Sequence, residues 1–292
     1  MNIKRLIAAI LAALAILFSS FQQVSAYQVF PSTGHKCKEQ MLKLESYTYV
    51  RKHADGWWMM PWNLRSGYLN AEDFHAIFST FSHKTLVVEM NATHVHWGME
   101  KPDPVQLQVA LGSGADIHTI MAYNERVNGS VLTRENIQKF RALYGDRYLL
   151  ISNVRRWGAS LQNAFSQLDG ISFEFQIPEK FEGLWSQVAR AVKWAHANNK
   201  YIYLLTPPGH NNYNLNEGYI TAYKDFFDFM RSEVGDEVLK SDKIVFVPAN
   251  YNYDKTNIQM TPETELIDGK MQDANTVMGV SKWLLEQPLH AR

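Results

Sequence analysis

Strand-like and helix-like segments take turns along the chain from Asp55 onward, and no other feature restricts the fold as much. Gly56-Trp57-Trp58-Met59-Met60-Pro61-Trp62 reads as a strand, and Asn70 caps a helix whose apolar periodicity runs from Ala71 to Phe81. Lys84 to Met90 reads as the second strand, after which Asp103-Pro104 supplies a cap and a first-turn proline to a helix closed by Gly112 and Gly114. Five more strands follow, at Asp116 to Ala122, Arg147 to Ser152, Asp169 to Gln176, Lys200 to Thr206 and Lys243 to Pro248. The helices between them start at the Thr133 cap and end at Gly145, run from Phe181 to Asn198, and run from Glu217 to Val234. Seven strands at intervals of roughly thirty residues are the rhythm of repeated βα units, which build a parallel sheet covered by helices.

Two closures of such a sheet compete, an open doubly wound sheet and a closed (β/α)8 barrel. The aromatic first strand and the polar strand ends favour the second, so the expected class is α/β, a (β/α)8 TIM-type barrel. Its eighth strand is the open position: Thr256 to Met260 is a short candidate, while Ala274 to Glu286 places Val277, Val280, Trp283 and Leu284 near one helical face. The 292 residues are 46% hydrophobic and 20% charged, enough apolar material for one large core, and no linker or repeat divides them. Net charge is zero and no basic run exceeds two residues, as at Arg155-Arg156, which argues against a nucleic-acid partner.

Residues 1–26 read as a signal peptide rather than as fold. Lys4 and Arg5 precede the apolar run Leu6 to Phe18, and Val24-Ser25-Ala26 puts small residues where a signal peptidase accepts them. The expected mature chain is a single domain, 27–292, secreted or periplasmic, with no further segment able to span a membrane. Cys37 is the single cysteine, so no intramolecular disulfide can form. Asn91-Ala92-Thr93 and Asn128-Gly129-Ser130 have the form of glycosylation sequons.

The segment Asp169-Gly170-Ile171-Ser172-Phe173-Glu174-Phe175-Gln176 carries the chemistry. Strand alternation sets Ile171, Phe173 and Phe175 on one face and Ser172, Glu174 and Gln176 on the other. A buried parallel strand is normally apolar on both faces, so a Ser-Glu-Gln face calls for polar partners or a site. By the same parity Leu86, Val88 and Met90 pack on helices and turn Val87, Glu89 and Asn91 inward, while Asn153 and Arg155 reach the barrel mouth. Glu125 lies just past the third strand, and Asn250 and Tyr251 just past the seventh. In a (β/α)8 barrel these C-terminal strand ends form one surface.

Carboxylates among Asn, Gln, Arg and aromatic groups suit glycosidic-bond cleavage. One carboxylic acid protonates the departing oxygen, a second carboxylate attacks the sugar carbon or activates water, and aromatic faces hold the rings. The candidate catalytic residues are Glu174, as acid, Glu89, as nucleophile or base, and Glu125. Candidate substrate-binding residues are Asn91, Asn153, Arg155, Gln176, Asn250, Tyr251, Trp57, Trp97 and Trp157, with core packing the alternative for each Trp. The run Asp169-Gly170-Ile171-Ser172-Phe173-Glu174 resembles the Asp-Gly-φ-x-φ-Glu theme of exported (β/α)8 glycoside hydrolases, which implies an extracellular or biofilm polysaccharide as substrate. Ser172 breaks the chitinase-type Asp-Gly-x-Asp-x-Asp-x-Glu run, so the resemblance carries no substrate-assisted mechanism.

Two other readings stand beside this one. A non-catalytic carbohydrate-binding or surface-assembly protein could use the same fold. A metal-dependent hydrolase or phosphodiesterase could use His94 and His96, with His118, His210 or Glu89 as a third ligand. No cofactor motif occurs: Pro207-Pro208-Gly209-His210 reads as a turn, and no glycine-rich phosphate cradle follows a strand.

Overall fold

The computed structural model describes residues 26–32, 42, 44–59, 71–91, 112, 114, 116–123, 137–138, 141–142, 145–159, 162, 165–175, 177, 183–206, 219–249, 266–267, 270–271, 274 and 276–290. Eight strands form one parallel sheet: β1 (Gln28–Val29), β2 (Trp57–Met59), β3 (Thr85–Asn91), β4 (Asp116–Tyr123), β5 (Leu149–Val154), β6 (Gly170–Glu174), β7 (Tyr201–Thr206) and β8 (Ile244–Pro248). Helices α1 (Glu45–His53), α2 (Ala71–Phe78), α3 (Leu184–Ala197), α4 (Tyr219–Val234), α5 (Asp236–Leu239) and α6 (Val277–Leu285) accompany them, and β9 (Leu266–Ile267) pairs with β10 (Lys270–Met271) apart from the sheet.

The strand order β1-β8-β7-β6-β5-β4-β3-β2 leaves β1 and β2 as the two outer strands, and these meet. Asp55 N–H donates to Val29 O at 3.1 Å, Trp58 N–H to Pro31 O at 3.1 Å, and the Ser32 hydroxyl to Trp58 O at 3.0 Å. A parallel sheet whose edges bond to each other is a barrel. The fold is therefore α/β of the (β/α)8 type.

The eighth strand is not where the sequence pattern suggested. It is β1, next to β8 and at the start of the fold, while 256–260 lies outside the described residues. Two residues cannot display a periodicity, so the strand is visible only through its bonds to both neighbours. Ala274 to Glu286 does contain a helix, α6, whose cap Thr276 accepts from Gly279 N–H at 2.9 Å.

Strand alternation divides the apolar residues into two cores. Outside the sheet, Leu86, Val88, Leu150, Val154, Ile171, Phe173, Ile202, Leu204, Ile244 and Phe246 pack against the helices. Inside, Phe30, Trp58, Val87, Ile151, Tyr203, Leu205, Val245, Val247 and Ala249 fill the barrel. A register shift between Leu86 and Val87 skips one residue of β4, so that Val87 pairs with Thr119 rather than with His118. Thr119 is buried, and its hydroxyl meets the Tyr203 hydroxyl at 2.8 Å and His118 Nδ1 at 2.9 Å, which satisfies the polar atoms that alternation carries inside. Gly170 is obligatory for close strand approach: a Cβ there would collide with the Tyr201 carbonyl. Among the described residues, no helix is long and apolar enough to cross a membrane.

Candidate active site

β5 and β6 position the described part of the site. In register, Asn153 faces Ser172, and Glu174, one interior step further along β6, pairs with Leu205 of β7. Ile171, Phe173 and Phe175 lie in the helix-side core, which leaves Ser172 and Glu174 on the interior face as alternation requires. Glu174 ends its strand at the C-terminal rim, with 14% of its side chain exposed.

Arg155, one residue past the end of β5, reaches across to it. Its Nη2 lies 3.2 Å from both Oε1 and Oε2, and its Nε lies 3.3 Å from Oε2. The guanidinium thus donates to both carboxylate oxygens while 46% of its own side chain stays exposed. Behind the pair, Trp157 N–H donates to Gln187 Oε1 of α3 at 2.9 Å, tying the segment after β5 to that helix. Gln187 escaped the sequence reading because nothing in its helical surroundings distinguishes it from an ordinary surface amide.

Asn153 is 4% exposed and sits beneath the rim. Ser172 is fully buried next to it, and its hydroxyl has no hydrogen-bond partner among the described residues. Glu89 and Asn91 lie on β3 in register with Met121 and Tyr123, two and four positions beyond the interior residue Val87. Their side chains fall outside the described residues, as do Glu125, Gln176, Asn250, Tyr251, Trp97, His94, His96 and His210 entirely.

Two sequence-based assignments change. Trp57 is 1% exposed and meets Phe74, Phe78 and Phe81 edge-on beneath α2, so it is a core residue and not a sugar platform. Trp157 is 7% exposed, stacked on Phe165 with Trp194 5.1 Å away, and is likewise closed to a sugar ring. Both lie in or just after strands, but their rings turn to the helices, where a large apolar surface is best buried. Asp169, the first residue of the run that ends in Glu174, has a structural role. Its carboxylate accepts from the Arg141 guanidinium and, at 2.6 Å, from Leu150 N–H. It therefore organises the start of β6, about 16 Å of extended chain from Glu174.

His118, at the start of β4, is at the opposite end of the barrel from Glu174 and does not join the rim. Burial pushes its pKa down, only partly opposed by Asp116. Among the described residues, no group of three or more His, Cys, Asp or Glu could hold a metal ion.

No protein-family model matches the chain, and no curated protein does. Similar solved structures include phosphoribosyl anthranilate isomerase from Thermotoga maritima, with 14% identity, TM-score 0.46, and 88% of this chain and 98% of that one covered. A modular endo-β-1,4-mannanase of glycoside hydrolase family 26 from Cellulomonas fimi shows 9% identity, TM-score 0.48 and coverage of 90% and 71%. An endo-β-1,3-glucanase of family GH128 from Amycolatopsis mediterranei shows 10% identity, TM-score 0.46 and coverage of 88% and 99%. Likenesses this distant span an isomerase and two glycosidases, so the fold rests on this chain's own strand order and its chemistry on its own residues.

Proposed function

We propose that the protein is an exported glycoside hydrolase that cleaves an extracellular polysaccharide with a pair of carboxylates. The observation that carries this reading is Glu174, a carboxylate at the C-terminal rim of a (β/α)8 barrel, on the interior face, partly exposed and gripped by Arg155. That rim is where barrels of this type place their chemistry, and an interior strand has no structural need of a charged end. Glu89 is the proposed second carboxylate, with Glu125 its competitor; Asn153, on β5 beside the Glu174 strand, and Asn91, on β3 with Glu89, are proposed for sugar hydroxyls. Residues 1–26 are proposed as the export signal. N-terminal sequencing of the exported protein tests that part, with Tyr27 the expected first residue.

Release of reducing ends from a panel of extracellular polysaccharides tests the activity. Wild type is expected to release them, Glu174→Gln to fold and release none, and a chelator to have no effect. Loss of activity on chelation would transfer the chemistry to His94 and His96. Sugar binding unimpaired by Glu174→Gln, in a wild type that cleaves nothing, would make the protein a carbohydrate-binding module.

A further inference from the structure

The reading above leaves open which carboxylate gives the proton and which carries the charge. Sequence parity made Glu174 the acid, but the ion pair argues the other way. We propose that Glu174 is the charged carboxylate of the reaction, its nucleophile or base, that Arg155 is its positioning residue, and that the proton for the departing sugar oxygen comes from a carboxyl on another strand. This assignment rests on the glycosidase reading and deepens it.

Both oxygens of Glu174 already accept from guanidinium nitrogens, at 3.2 Å for Oε1 and 3.2 and 3.3 Å for Oε2. Arginine has donors only, so a proton placed on either oxygen competes with an N–H already pointed at that atom. Only 14% of the Glu174 side chain is exposed, so water offers little compensation. Of the flanking strands, β5 sets Asn153 and Arg155 near it and β7 sets Leu205 in register; among these, Arg155 is the charged side chain. The other carboxylates assigned to the rim, Glu89 and Glu125, have side chains outside the described residues.

The pair leaves the carboxylate able to react. Two oxygens offer about four lone-pair directions, and Arg155 makes three contacts with them, so the guanidinium alone does not occupy them all. If Glu174 is the nucleophile, one oxygen bonds the anomeric carbon as the bond to the departing oxygen breaks, and that oxygen takes the proton of the second carboxyl. Water then releases the sugar and returns a proton to the second carboxylate. If Glu174 is the base, it takes a proton from the water that attacks the anomeric carbon, and the departing oxygen is protonated as before.

The test is the pH dependence of kcat/KM on whichever polysaccharide wild type cleaves, for wild type, Arg155→Gln and Arg155→Lys. Removing a cation favours protonation of its carboxylate partner. When that carboxylate must be charged, Arg155→Gln moves the acidic limb to higher pH, by about one unit or more, and leaves the basic limb in place. Arg155→Lys keeps the charge and returns the acidic limb most of the way to wild type. If Glu174 were the proton donor, Arg155→Gln would move the basic limb upward instead, and that result overturns the assignment. Both limbs unmoved would also overturn it. Thermal unfolding of the variants separates these outcomes from misfolding, which the exposed position of Arg155 makes a small effect. A wild type inert on every polysaccharide would refute the enzyme reading itself and this assignment with it.

Discussion

One buried carboxylate adds to the main-chain bonds that close the barrel, and its removal gives the sharpest test of that seam. Asp55 Oδ2 accepts from Val29 N–H at 2.7 Å while the Asp55 N–H donates to Val29 O, so the residue brackets β1 with two reciprocal bonds. The same oxygen meets His290 Nε2 at 3.2 Å, which draws in the chain beyond α6, and the two side chains are only 5% and 11% exposed. Asp55→Ala deletes a charge-assisted bond contributing about 1.5–3 kcal/mol and leaves the N–H of fully buried Val29 without its acceptor. Allowing for overlap between those two effects, the expected loss is about 2–4 kcal/mol, a large share of the roughly 5–15 kcal/mol that holds a typical protein folded. Asp55→Asn keeps an acceptor for Val29 and gives up the charge, for a loss of about 1 kcal/mol. The assay is urea unfolding followed by tryptophan fluorescence, since Trp57 and Trp58 lie two and three residues beyond Asp55 and are buried. A midpoint shift at constant slope reports stability alone. Equal losses for Asp55→Ala and Asp55→Asn, or a loss below about 0.5 kcal/mol for the alanine variant, would refute the closure argument.

Other expectations follow from the same contacts. Gly170→Ala forces a methyl against the Tyr201 carbonyl and should cost well over 1 kcal/mol or prevent folding, read as a lowered urea midpoint. Trp157→Ala should cost about 3–5 kcal/mol of stability, and measured sugar affinity per folded molecule should not change; a specific loss of affinity would restore Trp157 to the binding surface. His118 has a folded pKa depressed below its ordinary 6.5 by burial, so the unfolded chain binds the proton more readily. Stability should therefore fall as pH drops from about 6.5 toward the folded value, and His118→Gln should flatten the thermal-unfolding profile in that window.

The seven strands β2 to β8 were legible because the segments that hold them alternate or are continuously apolar and are bounded by caps, glycines or prolines. The inward set on β3, β5 and β6 followed from parity alone, and Val87, Ile151 and Ser172 lie where parity put them. Parity fails where it has too little chain to act on. Gln28–Val29 is two residues long, and its identity as a strand resides in Val245, Phe246 and Asp55, far away in sequence. The tryptophans show a second limit: an indole at a strand end suits a sugar or a helix equally, and α2 supplies Phe74 and Phe78 to claim Trp57. Asp169 shows a third. Adjacent to Gly170 in a catalytic-looking run, it is held by Arg141, whose proximity no local pattern encodes. Arg155, by contrast, was readable, because the parity of β5 carries it to the rim on which Glu174 ends.

The most direct test of the central claim is reducing-end release by wild type and Glu174→Gln side by side, with folding of both checked by thermal unfolding. The account predicts release by wild type and a loss of at least about a hundredfold in the variant at unchanged fold, in keeping with removal of an essential carboxylate. A folded Glu174→Gln protein that releases ends as fast as wild type would contradict it.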